Sequence, residues 1–293
     1  MLATVVMWSA NFIVVKAAIG VLGPLTFTSL RYVVAAATLF LLVRWRLGPV
    51  RPPARAALTM VALGMLGFGA YQLLWSVGLT QITAGNSALI IAAAPVLTAI
   101  LAAAVGLDRL TPPKLLGALV AFCGVSVVIA AGHELALGSS LAGSALTLAA
   151  SVLWAVYTVA ATRMLREVDP LQATAWAVLG GMLFLLPFGV WERLTSPAVT
   201  LTAPSVLAIL YSGALAAGIA NVFLFNAIRL VGPTRVTASQ FLVPFGAVLL
   251  GAWLLDEPVG PAQVIGGAVI ILGVWLTRRR TILPTSVRRA MAA

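Results

Sequence analysis

The chain has 293 residues, 62% of them hydrophobic and only 9% charged, with a mean hydropathy of +1.10. A soluble domain carries about 25% charged residues, so a soluble enzyme or binding module is excluded. The formal net charge of +11 indicates no nucleic-acid partner, because the placement of the basic residues accounts for it.

The apolar runs predict ten membrane spans, at roughly 2–20, 25–43, 56–80, 85–106, 112–131, 141–163, 170–190, 204–228, 234–255 and 261–277. The first opens without a basic n-region, which reads as a membrane helix and not a cleaved signal. It carries Trp8, Ser9, Asn11 and Lys16, and the second span carries Arg31. Gly23-Pro24 separates these two, and Arg44 to Arg55 with three prolines follows. The third span holds Tyr71, Gln72 and Trp75, the fourth Pro95, and the fifth the single cysteine, Cys123, read as a small apolar filler. Gly132 to Gly138 then breaks the chain. The sixth span holds Trp154 and Tyr157, and the seventh Trp176. Asn221 and Asn226 lie on the eighth, and Ser239, Gln240 and Pro244 on the ninth. Short connections leave no room for a soluble domain.

Residues 95–125 recur, without a gap, at 244–274. Pro95 meets Pro244, Asp108 meets Glu257, Gly117 meets Gly266 and Gly124 meets Gly273. A repeat of this length means duplication. Five spans per copy return the chain to the opposite face, so the second copy is inverted, a recurring plan of secondary transporters with a site at the midplane. The fold expected is an all-α membrane protein of ten transmembrane helices in two inverted repeats, residues 1–131 and 141–277, followed by a basic tail, residues 278–293.

With both termini inside, the inner loops and tail hold fifteen of the 18 basic residues. These are Arg44, Arg46, Arg51 and Arg55; Arg109 and Lys114; Arg163 and Arg166; Arg229 and Arg235; and Arg278, Arg279, Arg280, Arg288 and Arg289. The outer loops hold Arg193 alone, which sets the orientation as N-in and C-in. The tail is expected to lie on anionic lipid. Trp45, Trp191, Trp253 and Trp275 fall at span ends, where an interfacial belt places tryptophan.

At membrane depth the amides and hydroxyls of Ser9, Asn11, Gln72, Asn221, Asn226, Ser239 and Gln240 each either tie two helices together or face a shared wet cavity. The rings of Trp8, Tyr71, Trp75, Trp154, Tyr157 and Trp176 either pack or line that cavity, which would suit solutes with a flat apolar part. Lys16 and Arg31 either snorkel to the outer face, where Glu134, Glu192, Asp256 and Glu257 are expected as pairing partners for them, or steer a carboxylate or an outer gate. No acid lies at mid-depth, and His133, the only histidine, falls outside. No metal-ligand spacing, nucleophilic triad or phosphate loop is present. The expectation is therefore a non-enzymatic carrier with no cofactor, no metal and no obligate protein partner, acting on a small molecule in contact with lipid.

Several stretches resemble the EamA-type carriers of the drug/metabolite transporter superfamily. Trp8-Ser9-Ala10-Asn11-Phe12 is similar to the family's W-G-x-N-F opening, and Arg31-Tyr32 to its R-[FY] pair. Thr83 to Ala88, Pro95, Asp108 to Thr111 and Gly117 to Gly124 follow its later pattern. Trp154 to Tyr157, Pro244, Asp256-Glu257 and Gly266 to Gly273 follow it again in the second unit. Ser9 and Asp108 depart from the family's Gly and Glu. The subgroup most resembled is the YddG-like exporters of aromatic amino acids.

The resemblance implies a central cavity lined by spans 1, 3, 4, 6, 8 and 9, with spans 2 and 7 moving beside them and spans 5 and 10 as outer supports. It implies alternating access and export of small metabolites, amino acids above all, across a bacterial cytoplasmic membrane. The substrate-binding candidates are Trp8, Asn11, Tyr71, Gln72, Trp75, Trp154, Tyr157, Asn221 and Gln240. The gating or steering candidates are Lys16, Arg31, Pro95 and Pro244, the prolines by weakening their helices. The rivals are a phosphorylated-sugar or nucleotide-sugar carrier of the same superfamily and a membrane-embedded enzyme or scaffold.

Overall fold

The structure, a computed structural model, describes residues 2–49, 52–106, 111–134, 140–164, 168–197, 201–231 and 242–277. All regular structure among these residues is helical. α1 (Leu2–Leu22) and α2 (Pro24–Arg46) are followed by a rod made of α3 (Ala54–Gly64), a π-helical segment (Met65–Ala70) and α4 (Tyr71–Gln81). α5 (Ala84–Ile91), α6 (Ala94–Ala104) and α7 (Pro112–Glu134) complete the first half. The second half has α8 (Leu141–Met164), α9 (Pro170–Thr195) and a rod of α10 (Ala203–Leu210), a π-helical segment (Tyr211–Ile219) and α11 (Ala220–Val231). α12 (Leu242–Leu254) and α13 (Pro261–Thr277) close it.

Seven helical stretches are long and apolar enough to cross a membrane: 2–22, 24–46, 54–81, 84–104, 141–161, 170–195 and 203–227. The expected fifth, ninth and tenth spans are represented by shorter apolar stretches, Leu115–Val128, Leu242–Leu254 and Pro261–Gly273. The start expected for the ninth lies outside the described residues. The seventh expected span runs on to Thr195, so Glu192 and Arg193 belong to a helix and not to the loop expected for them.

Local chemistry explains the helix starts. Asp169 accepts the Leu171 N–H at 2.9 Å with Pro170 behind it, and Thr202 and Ser205 form a capping box. Thr83 caps α5 through the Asn86 N–H at 3.1 Å. α2 has no side chain of its own to cap it, since Gly23 occupies the N-cap at φ 82°.

The two halves pack against each other along their length. α2 lies on α9, α4 on α8, α1 on α12, α5 on α12 and α6 on α8. α7 lies on α13 along the duplicated glycines Gly117 and Gly124, Gly266 and Gly273. A Cβ on Gly124 would stand 2.7 Å from the Gly266 carbonyl, and one on Gly273 2.6 Å from the Gly117 carbonyl. The backbones therefore touch, as small-residue packing in membranes allows. Cys123 is exposed on α7 and fills no gap, contrary to the expectation of a packed filler. Large apolar side chains point outward on many helices, Leu119, Leu194 and Leu249 among them. In hydrocarbon this costs nothing. Trp45, Trp191, Trp253 and Trp275 are also exposed near helix ends.

Candidate functional site

The interior holds a chain of polar side chains drawn from four segments. The Ser212 hydroxyl donates to Asn11 Oδ1 at 2.6 Å, and the Arg31 Nη1 donates to Ser212 Oγ at 2.8 Å. Arg31 Nη2 donates to Gln72 Oε1. α1, α2, α4 and the second π segment thus meet at one guanidinium. Asn11 is nine residues from the start of α1 and Ser212 nine from the start of α10. At about 1.5 Å per residue that is roughly 13 Å along each helix, near the middle of a core about 30 Å thick.

Arg31 is 1% exposed, so its head does not snorkel to the surface as one sequence reading allowed. Its guanidinium carbon lies 5.8, 5.5 and 5.4 Å from the rings of Phe27, Tyr32 and Trp75. These faces attract a cation but bring no opposite charge. Asp169, Glu192 and Glu257 are accounted for elsewhere as helix caps. Asp256 is exposed in the α12–α13 turn.

Trp75 donates to Ser87 Oγ at 3.0 Å and stands edge-on to Phe12 at 5.4 Å. Beside it lies a continuous aromatic cluster. Trp154 is 5.4 Å from Tyr71, 5.5 Å from Tyr157 and 5.7 Å from Phe68. Phe68 reaches Tyr157 at 5.2 Å and Tyr32 at 6.2 Å. Tyr157 also lines a small cavity with Met60, Leu63, Ala177 and Phe225. Trp8 donates to the Ala216 carbonyl at 3.1 Å and packs between the aromatic cluster and the Trp75 side of the core.

Other candidates stand apart. Asn221 donates to Ala217 of its own rod at 3.0 Å, while its buried Oδ1 has no protein partner. Asn226 is exposed and also bonds its own helix, and Trp176 stands edge-on to Phe40 at 5.6 Å. Ser9 donates to the Val243 carbonyl at 3.1 Å, a tie between α1 and α12. Ser239 and Gln240 lie outside the described residues. The fourth expected span breaks at Ala92-Ala93, and Pro95 is the second residue of the helix that resumes. Pro244 lies within α12 and is buried.

Lys16 is half-buried and reaches the end of α4. Its ammonium donates to the carbonyls of Leu79 and Ile82 at 2.7 and 2.6 Å, at the C-terminal end of α4 where a cation is favoured. Nearby, Glu257 accepts the N–H groups of Ala84 and Gly85 at 2.7 and 3.1 Å. Glu192 accepts the Thr26 N–H at 2.6 Å. At this end, two carboxylates of the second half cap two helices of the first. Gly23 and Gly251 leave the space they need; a Cβ on Gly23 would lie 2.5 Å from the Glu192 carboxylate, and one on Gly251 2.7 Å from that of Glu257. The pairing expected for these acids was with Lys16 or Arg31; backbone N–H groups take them instead.

Ser212, Phe68, Ser87 and Tyr211, whose hydroxyl donates to the Met7 carbonyl at 3.0 Å, were missed by the sequence reading. A signal existed for Ser212, a hydroxyl in mid-span between Tyr211 and Gly213.

A model of the EamA-like transporter family matches residues 1–130 and again 141–279. A probable terminal-alkyne amino-acid exporter of Streptantibioticus cattleyicolor is 33% identical, over 95% of this chain and 92% of its own. An uncharacterized transporter of Archaeoglobus fulgidus is 29% identical, over 94% of each chain. A probable amino-acid metabolite efflux pump of Salmonella typhimurium is 26% identical, over 94% of this chain and 92% of its own. One solved crystal structure shares the fold with a TM-score of 0.64 at 21% identity, covering 96% of this chain and 99% of that one.

Proposed function

This chain belongs to the EamA-like transporter family of the drug/metabolite superfamily, and we propose that it exports amino acids, aromatic ones included, from the bacterial cytoplasm. The observation that carries this is the Asn11–Ser212–Arg31–Gln72 chain at mid-depth, buried at Ser212 and Arg31 and bounded by aromatic rings. Polar groups are costly in hydrocarbon unless paired or used. Rings beside amides and a cation suit a zwitterion with an apolar side chain. The printed names of two relatives, an exporter and an efflux pump of amino-acid compounds, support the same substrate class.

The architecture proposed is ten membrane helices in two inverted five-helix repeats, residues 1–131 and 141–277, with both termini and the basic tail 278–293 inside. A shift of 149 residues carries 65–70 onto 214–219, within the second π segment, and Gln72 onto Asn221. π segments mark functional positions in helices. Gly64 packs on the Ala177 carbonyl of α9, and its counterpart Gly213 packs on the Arg31 carbonyl of α2. Helix pairs recur under the same exchange: α1 on α12 mirrors α8 on α6, and α4 on α8 mirrors α11 on α1.

Transport then proceeds by alternating access. Trp8, Asn11, Tyr71, Gln72, Trp75, Trp154 and Tyr157 line the binding site, joined by Asn221 and Gln240 as the helices move. Glu192 and Glu257 latch the outer end, Lys16 pins the α4–α5 turn there, and Pro95 and Pro244 are the bending points of spans four and nine. The regular ladder is already interrupted before Pro95, where the Ala93 N–H turns back to the Ile90 carbonyl, and Pro95 itself has no N–H to give. Reconstituted protein is expected to exchange labelled phenylalanine or tryptophan across liposomes. Absence of exchange for every amino acid in a panel, with exchange of sugar phosphates instead, would transfer the assignment to the phosphorylated-solute carriers.

A further inference from the structure

We propose that Arg31 is the anchor for a carboxylate of the transported solute, and that Gln72 holds part of that seat in the arrangement seen here. The inference rests on the reading of the chain as a carrier and names the group that its site recognises. Arg31 is a fully buried guanidinium whose described neighbours include neutral oxygens and ring faces but no carboxylate. A permanent charge in such surroundings is expensive, and its pKa is too high for it to shed the proton.

The unused donor shows where an anion would dock. Nε is buried and has no protein partner. Nε–H and the Nη2 N–H beside it form one edge of the planar fork, the edge a carboxylate takes with two parallel hydrogen bonds. Gln72 fills only the Nη2 side of that edge, with a single neutral carbonyl oxygen. On Nη1, Ser212 is itself held by Asn11, so the fork stays oriented if Gln72 leaves. A carboxylate would replace one neutral acceptor by two charged ones and neutralise the site.

The neighbourhood also sets the rest of the ligand. Tyr32, next in the chain, links through Phe68 to the Trp154–Tyr157 cluster, and Tyr71 precedes Gln72. A carboxylate on Arg31 therefore leaves a flat apolar group within reach of these rings. The ligand class is a monocarboxylate with an apolar, preferably aromatic, body.

A merely structural Arg31 would tie α2 to α4 and to the second π segment without caring about the ligand's carboxylate. The test is therefore selectivity. Purified full-length protein is melted with phenylalanine, 3-phenylpropionate, phenylalaninamide, phenethylamine and phenyl phosphate, and with aliphatic and hydroxy acids beside their amides. Expected is stabilisation by carboxylates and none by the matched amides or amines. Arg31→Met and Arg31→Gln are expected to weaken carboxylate binding at least tenfold. Equal stabilisation by amides, preference for the phosphate ester, no carboxylate-dependent shift anywhere in the panel, or the same preference retained in Arg31→Met overturns the proposal. Should the Arg31 variants fail to fold, the wild-type series decides alone. Stabilisation by 3-phenylpropionate without any amino acid would uphold the anchor and sink the amino-acid reading, so the two fail separately.

Discussion

Replacing Glu257 by alanine tests whether the carboxylate holds one end of the bundle shut. The carboxylate accepts from the Ala84 and Gly85 N–H groups at 2.7 and 3.1 Å, and Thr83 takes the Asn86 N–H. All three first-turn donors of α5 are thus satisfied, two of them from the other half of the chain. Ala84 is fully buried, so truncation strands at least one donor away from any replacement. A hydrogen bond to a charged group contributes about 1.5–3 kcal/mol, and a carboxylate at a helix N-terminus adds roughly 0.3–1 kcal/mol. Water recovers part of this where the half-buried Glu257 leaves room, so about 2–4 kcal/mol of closed-state stability is lost. At 1.4 kcal/mol per tenfold, the open population rises about 30- to 700-fold. The assay uses a Cys123→Ser background and a cysteine at Asn86, a position 3% exposed. Its labelling rate by an impermeant maleimide is expected to rise by that factor in Glu257→Ala, and by less in Glu257→Gln, which keeps one oxygen acceptor. An unchanged rate in Glu257→Ala, with unchanged transport, would refute the latch.

Trp154→Ala and Trp8→Ala are expected to cut transport at least tenfold while the protein still folds. Loss of stability by roughly 3–5 kcal/mol, read as a collapse in melting temperature on the same samples, would make these rings packing residues instead. In the Cys123→Ser background, Leu194→Cys is expected to react with an impermeant label on intact cells and Arg46→Cys only after lysis; the reverse result rejects the orientation. In liposomes with a pH gradient and no solute gradient, no accumulation is expected, because the span interiors carry no Asp, Glu or His and arginine keeps its proton. Accumulation abolished by an uncoupler would show proton coupling and point to Lys16 first.

Composition and period were enough to read a helical membrane carrier from the chain, because hydrocarbon leaves a backbone few other ways to satisfy its polar groups. The duplication at 95–125 and 244–274, the glycine stripes of α7 and α13 and the break before Pro95 are local properties, written in residues that neighbour one another. The candidate site was legible as a list: Trp8, Asn11, Tyr71, Gln72, Trp75, Trp154 and Tyr157 are polar or aromatic residues in apolar runs. Their grouping was not. Arg31 and Lys16 look alike in sequence, each a base in an apolar span. Packing buries one at the meeting point of four segments and sets the other on the carbonyls that end α4. Glu192 and Glu257 likewise read as loop acids free to pair with a base, and became caps on helices begun more than 160 residues away. Which donor a charge finds depends on contacts distant in sequence, and those are decided by how the two halves close on each other.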